Sequence, residues 1–547
     1  MKKKLTIYYS GLVAAILLLL VSCNQLDLVP TNKFTDQNYW TSADKASSVL
    51  SMAYSQMFNS GYYFSTECLT DNLYQDRGNS DEKIFTAGQA NSALGRFANE
   101  WSDCYAGIKT CHTFLENVDR VPNMDETLKT RMKAEARFIR AFLYFRMANQ
   151  YGDVPLFDHN LTLEESAVLS RNPKADVIAF VRDELNAIVG DLPTKQQYVA
   201  ADNGRITKGA VMMLLARTYL YESDWANVAT ICEGLMNGTY GQYALFSSYD
   251  GLFTTGDETY SNKYNSEVIL DMGYALGSRT WSDYYDAIPL TEGGRISAFT
   301  PTQELVDDYI MLNGKGIADS GSGYDEDNPY VNRDPRLNSI VYDGYRWQKK
   351  DGSFDTIHIQ PGSSVAAGLE KPTIDEYVGP GQNSSASGYY LRKWYDPFAP
   401  QGMASGLNLI LMRYADVLLM YAEAKNAQGQ MNADIWNETI GALRARAGFT
   451  DPAALNYPDS GSDLQNIIRR ERRCELAIEG LRLFDIRRWK TAETVMNGTP
   501  HGAKFVNSNT QYIVLGPRSF DSNRSYLFAV PQSQIDIDKN LTQNPGY

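Results

Sequence analysis

The chain has 547 residues, 43% hydrophobic and 21% charged, a globular balance that excludes wholesale disorder and a polytopic membrane protein. Asp plus Glu number 65 against 51 Lys plus Arg, a formal charge of −14, so holding DNA or RNA would need a local basic patch, and no nucleic-acid partner is expected. The 36 tyrosines outnumber the 21 phenylalanines and 8 tryptophans; rings with a polar tip suit half-wet surfaces, which hints at a binding face.

Lys2, Lys3 and Lys4 form a basic start, Gly11 to Val21 supply an apolar stretch, and small or apolar residues run up to Cys23, the layout of a secretory signal over residues 1–22. Leu20-Val21-Ser22-Cys23 is similar to the bacterial lipobox, so cleavage before Cys23 and lipidation of that cysteine are expected. Two or three acyl chains hold a soluble body at a bilayer essentially permanently, so the membrane is reached through the lipid anchor only. The competing reading is an uncleaved span from Leu5 to Val21, at the short limit for crossing a bilayer. Residues 23–35 form a polar tether. The other cysteines, Cys68, Cys104, Cys111, Cys232 and Cys474, are odd in number and scattered, which argues against a disulfide framework and leaves open a single Cys104 to Cys111 bond. Cys104, Cys111 and His112 lack a second cysteine pair at zinc spacing and read as buried side chains on an apolar helical face; no cofactor is expected.

From Ala43 to Val121 the apolar spacing is helical, interrupted by a polar stretch from Thr70 to Gln89 that reads as a binding loop. Ala134 to Met147 is a helix with Phe138, Ala141, Phe142 and Phe145 on one face, stopped by Gly152 and Pro155. Lys208 to Met236 and Ala415 to Gly448 each read helix, polar turn, helix, and resemble tetratricopeptide units, whose paired helices bury a full face only when stacked. Between them, Tyr240 to Gly406 is mostly loop, with short strands possible at Glu267 to Met272 and Thr356 to Gln360. Asp325, Glu326 and Asp327 lack the spacing of an EF-hand and read as a solvated acidic bend. The arginine-rich run Ile467 to Trp489 cancels its own charge through Arg472 with Glu475, Glu479 with Arg482 and Asp485 with Arg488, so it reads as a packed helix with Gly480 as a kink or junction.

Leu26-Asp27-Leu28-Val29-Pro30, Tyr39-Trp40, the AEARFIRAFLYFRMANQYGDVPL run from Ala134, Thr207-Lys208-Gly209-Ala210, Pro301-Thr302-Gln303-Glu304-Leu305-Val306, Asp334-Pro335-Arg336-Leu337, MRYADVLLMYAEA from Met412, RRERRCELAIEGLRLFDIRRW from Arg469 and the ending Leu541 to Tyr547 together resemble the SusD/RagB family of bacterial outer-membrane lipoproteins. The resemblance implies a mainly α, SusD-like fold: a helical scaffold (36–240 and 407–495), a loop-rich ligand-binding subdomain (241–406) and a C-terminal segment (496–547), making one domain over 36–547. It further implies a cell-surface glycan binder in the outer membrane, without enzymatic activity, that works with a SusC-like TonB-dependent β-barrel transporter. The alternatives are a RagB-like peptide-binding partner of such a transporter and a surface glycoside hydrolase, which would need two carboxylates at a defined separation.

A glycan offers C–H faces and hydroxyls, so its binder needs flat aromatic rings beside amide, guanidinium or carboxylate groups. Three clusters carry both kinds: Arg279, Trp281, Asp283, Tyr284 and Tyr285; Asp71, Asn72, Tyr74 and Arg77; and Tyr345, Arg346 and Trp347. The bland alternative is that Trp281 and Trp347 pack inward and the tyrosines cover them.

Overall fold

Five of the eight long scaffold helices start after a side chain that caps them. The computed structural model describes residues 39–399, 404–505 and 511–547; the signal segment, Cys23 and the tether lie outside them. Ser42 accepts from Lys45 N and opens α1 (Ala43–Met57). It is followed by α2 (Gly95–Asn117) and α3 (Glu126–Tyr151), the latter capped by Asp125 and stopped at Gly152, whose φ of +73° an L side chain resists. Then come α4 (Lys174–Ile188), α5 (Lys208–Tyr221) and α6 (Trp225–Met236), with Thr207 and Asp224 capping the last two. α7 (Tyr414–Ala427) and α8 (Leu464–Leu476) complete the scaffold.

Each of these helices packs on the next, α1 on α2 through to α7 on α8. The α5–α6 pair is the first unit expected to be tetratricopeptide-like; in the second, α7 is followed by Ala433–Trp436, a π-turn and Ala442–Ala447. Small residues let the pairs close up: a Cβ on Gly107 of α2 would sit 2.6 Å from the Leu143 side chain of α3. The described thiols Cys68, Cys104, Cys111, Cys232 and Cys474 are all buried and free, and burial pushes Cys104 and Cys111 up to about 12.

The arginine-rich run is packed and helical, as expected, and Gly480 at φ +74° lies at the junction between α8 and the helix Arg482–Arg488. Its charges are partnered differently from the expectation. Only Asp485 with Arg488 pairs locally, at 2.9 Å. Arg472 goes to Asp416 and Asp485, Arg482 to Asp71, Glu475 to Arg336, Arg413 and Arg446, and Glu479 to Lys393 and Arg413. The reason is burial: in a low-dielectric interior a charge must meet partners from other elements, whereas three-residue pairing is a weak device of solvated helix faces.

The intervening region carries short antiparallel pairs. β1 (Leu73–Gln75) pairs with β3 (Phe299–Pro301), β2 (Val268–Met272) with β8 (Leu409–Arg413), β4 (Ile340–Val341) with β7 (Tyr390–Leu391), and β5 (Tyr345–Gln348) with β6 (Phe354–Ile357). The Thr70 to Gln89 stretch is therefore not all loop: it holds β1 and a helix, Asp81–Thr86, capped by Ser80. β1 forms by pairing with a segment more than 200 residues away, which no local pattern reveals.

Candidate functional site

The rings expected to form an open shelf are mostly inside. Trp281 is 4% exposed, stacks on Phe64 with centroids 5.8 Å apart, and donates its indole N–H to the Leu407 carbonyl at 2.7 Å. Its backbone also exchanges two hydrogen bonds with Ser405, which draws the segment inward. Tyr284 is fully buried and Tyr285 is 7% exposed, their centroids 4.0 Å apart. Trp347 is fully buried because residues alternate along β5: Tyr345 and Trp347 face the core, and Arg346 and Gln348 face out. For Trp281, Tyr284 and Trp347 the bland alternative is what the structure shows, since a ring enclosed by neighbours has no face left for a sugar.

The first cluster divides. Asp71 is buried, and although burial alone would raise its pKa, the Arg473 and Arg482 guanidiniums overcome this and hold it well below the usual carboxylate range. Asn72 is bonded on both sides, donating to Glu67 at 2.7 Å and accepting from Arg473 at 2.8 Å. Tyr74 is buried, its hydroxyl accepting from Gly516 N at 3.2 Å. These three are structural: they bind β1 to α8 and to the C-terminal segment. Arg77 is different, half-buried, with Nη2 3.3 Å from the Asn383 side-chain oxygen. Arg279, stacked 4.7 Å over the Tyr274 ring, and Asp283 are also half-exposed. Beside them Asp286 takes a two-point contact from Arg295 at 2.8 and 2.9 Å, and Ser297 N donates to the Asn383 carbonyl at 3.0 Å. Arg77, Asp286, Arg295 and Asn383 thus come together as a polar face that joins the first loop to the 286–297 and 379–388 segments.

The third cluster borders a cavity of about 210 Å³. Tyr345 lines it, its hydroxyl donating to the Asn338 carbonyl at 2.9 Å. The other walls include Asp250, Arg346, Gln348, Phe354, Arg392 and Lys393. Phe354 is 49% exposed, and the Arg346 guanidinium lies 4.5 Å over its ring. Arg392 is stacked over Trp347 at 4.4 Å and over Tyr395 at 4.3 Å, and its Nη1 is buried without a hydrogen-bond partner. Burial also lowers its pKa, although Tyr345, Tyr395, Asp250 and Glu292 all favour the cation.

Glu292, in the 286–297 loop, lies within electrostatic reach of Arg392. Burial and the adjacent Asp355 carboxylate raise its pKa to about 7, and its buried Oε1 has no partner. Beneath the cavity, burial lowers Lys393 to about 8 while it donates to Ala477 O at 2.7 Å and to Glu479 at 2.8 Å. The buried network continues through Arg413, held by Glu267, Glu475 and Glu479. Such a fully bonded base fixes the rings above it.

Sequence reasoning did not single out Asp250, Phe354 and Arg392, and took as a ligand contact Trp347, which is buried with the Arg392 guanidinium over its ring. One signal was available: Arg392-Lys393-Trp394-Tyr395 combines cations and rings inside the loop-rich region, as the chosen clusters do.

A family model described as the SusD family matches residues 260–547, and one described as starch-binding associating with outer membrane matches residues 25–220. SusD-like protein P2 of Formosa agariphila is 26% identical over 97% of this chain and 98% of its own length. Starch-binding protein SusD of Bacteroides thetaiotaomicron is 24% identical over 79% of this chain and 75% of its own. The crystal structure of a SusD-like carbohydrate-binding protein from Bacteroides fragilis superposes with a TM-score of 0.81 at 27% identity, covering 92% of this chain and all of that one.

Proposed function

The chain belongs to the SusD family, and from that premise we propose that it is an outer-membrane lipoprotein, anchored through Cys23 and facing the cell exterior, that captures glycan and passes it to a SusC-like TonB-dependent transporter. The observation that carries the binding step is Arg392. Its guanidinium lies over two aromatic rings, and the residue lines an open cavity. Around it are the partners a sugar ring requires: the Asp250 carboxylate and Gln348 amide for hydroxyls, and the exposed Phe354 ring for a C–H face.

A cavity of 210 Å³ is smaller than the ~300 Å³ at which drug-sized pockets begin, so it suits one sugar ring of a longer chain. A longer chain would extend over Arg346 and along the 286–297 loop toward Arg77 and Asp283. Stacking contacts of ~1 kcal/mol each give micromolar to millimolar affinity, strengthened when several copies engage one polymer. Weak binding suits a protein that must also release its cargo.

Affinity electrophoresis against starch and other plant and host polysaccharides tests this. Retardation by at least one polymer, without product release, is expected for the native chain, with tenfold weaker retention for Arg392→Ala and Phe354→Ala. Retention untouched by Arg392→Ala would remove the site. Indifference to every polymer, together with binding of peptides, would instead favour the RagB-like reading.

A further inference from the structure

The wall of the loop-face cavity differs in charge from the molecule that carries it. The chain as a whole is acidic, with a formal charge of −14. Buried scaffold arginines meet that excess one by one: Arg336, Arg413, Arg444 and Arg472 each reach a carboxylate at 2.7–2.8 Å. Two arginines on the wall of the 210 Å³ cavity do not. Among the described residues, neither Arg346 nor Arg392 forms an ion pair with a carboxylate. Of the other charged residues lining the cavity, Lys393 is cancelled by Glu479 at 2.8 Å, and Asp250 is the one carboxylate. The wall therefore sets two uncancelled cations against one anion.

Both guanidiniums are seated on rings. Arg346 is exposed, with its guanidinium 4.5 Å over Phe354, itself 49% exposed. Arg392 is half-buried, 4.4 Å over Trp347 and 4.3 Å over Tyr395. A guanidinium packed on a ring is held in one plane, and its fork of N–H donors matches the paired oxygens of a carboxylate or sulfate. Burial of the Arg392 charge is unfavourable and lowers its pKa, a cost that an incoming anion would offset. A round cavity of 210 Å³ is ~7 Å across, less than the ~8 Å Debye length at physiological salt. An anionic group inside it is thus attracted by both guanidiniums without having to touch both.

The same imbalance continues toward the first loop. Arg77 and Arg279 are half-buried and form no ion pair among the described residues, with Asp283 the acid beside them. Arg295 and Asp286 cancel each other at 2.8 Å. Burial and Asp355 hold Glu292 at about 7, so it carries only part of a charge at neutral pH. A neutral sugar asks for donors and acceptors alike and draws no advantage from a positive wall, whereas an anionic one gains charge-assisted, two-point hydrogen bonds.

We propose that the glycan taken by this cavity is anionic, a polysaccharide bearing uronate carboxylates or sulfate esters, and that Arg346 and Arg392 set the selectivity. The proposal rests on the glycan reading of the cavity. Affinity electrophoresis of the full chain with matched polymers tests it: polygalacturonate beside its carboxyl-reduced form, and dextran sulfate beside dextran. Retardation by at least one charged polymer is expected, at least tenfold stronger than by its uncharged counterpart, and the two pairs tell carboxylate from sulfate. Non-specific attraction cannot imitate this result, because the chain is itself acidic. Arg346→Gln, at an exposed position, should weaken retention by the charged polymer at least tenfold, and Arg346→Lys, which keeps the charge but not the fork, should fall between. Equal retention by charged and uncharged polymers, or retention by neutral ones alone, would overturn the anionic assignment while glycan capture stands; this comparison needs only the native chain. Charge selectivity untouched by Arg346→Gln would overturn the role given to that residue. Indifference to every polymer would remove the glycan reading itself, and this proposal with it.

Discussion

Trp281 separates a ring that supports the site from a ring that touches ligand. Trp281→Ala removes a side chain 4% exposed, stacked on Phe64 and bonded to the Leu407 carbonyl. Truncating a buried Trp to Ala costs ~3–5 kcal/mol, and a buried carbonyl losing its donor costs ~1–3 kcal/mol, part of it already in the first figure. The expected loss is thus about 4–6 kcal/mol, a large share of the ~5–15 kcal/mol that holds a native protein together. Trp281→Phe keeps a ring against Phe64 and loses mainly the hydrogen bond, ~1–3 kcal/mol. Urea unfolding should show a large fall in midpoint for Ala and a smaller one for Phe. Polysaccharide retention measured in the cold, where all variants are folded, should stay within about twofold of native. Arg392→Ala should do the reverse, losing retention while giving up only the ~1–2 kcal/mol of its contacts with Trp347 and Tyr395. A Trp281→Ala protein with a native urea midpoint and abolished retention would refute this division and return the ring to the ligand.

Arg413→Met should destabilise by ~3–5 kcal/mol, read as a lowered denaturation midpoint, because Glu267, Glu475 and Glu479 lose the cation that holds them in the interior. Stability should also depend on pH through Glu292. Because its folded pKa, about 7, lies above that of an unfolded Glu, the folded chain binds more protons between roughly pH 4.5 and 7, so stability falls as pH rises through that window. Glu292→Gln should flatten that slope in thermal melts at a series of pH values. Asp71, Asp416 and Glu475 act with the opposite sign: their folded pKa values are depressed, so the stability they confer is complete above the ordinary carboxylate range and lost as pH falls below it. Acid unfolding of native protein should begin only there, and earlier in Asp71→Asn.

The sequence determined the scaffold. Periodic apolar residues and stops such as Gly152 act within a few residues of themselves, so most of the scaffold helices and the α5–α6 pair could be read from the string, although α4 was not. It also marked the loop-rich region and the family motifs. What only the tertiary structure decided was the facing of each ring and the partner of each charge. Tyr345 and Arg346 are neighbours in sequence, yet strand alternation turns one inward and the other out. Arg472 and Glu475 stand at pairing distance on one helix, yet each finds partners brought in from elsewhere in the chain. The contacts of Arg392 with the Trp347 and Tyr395 rings became visible only in the tertiary structure. Periodicity is a local property of the backbone, whereas burial and charge neutralisation depend on which distant segments meet, and in a loop-rich face nothing local records that.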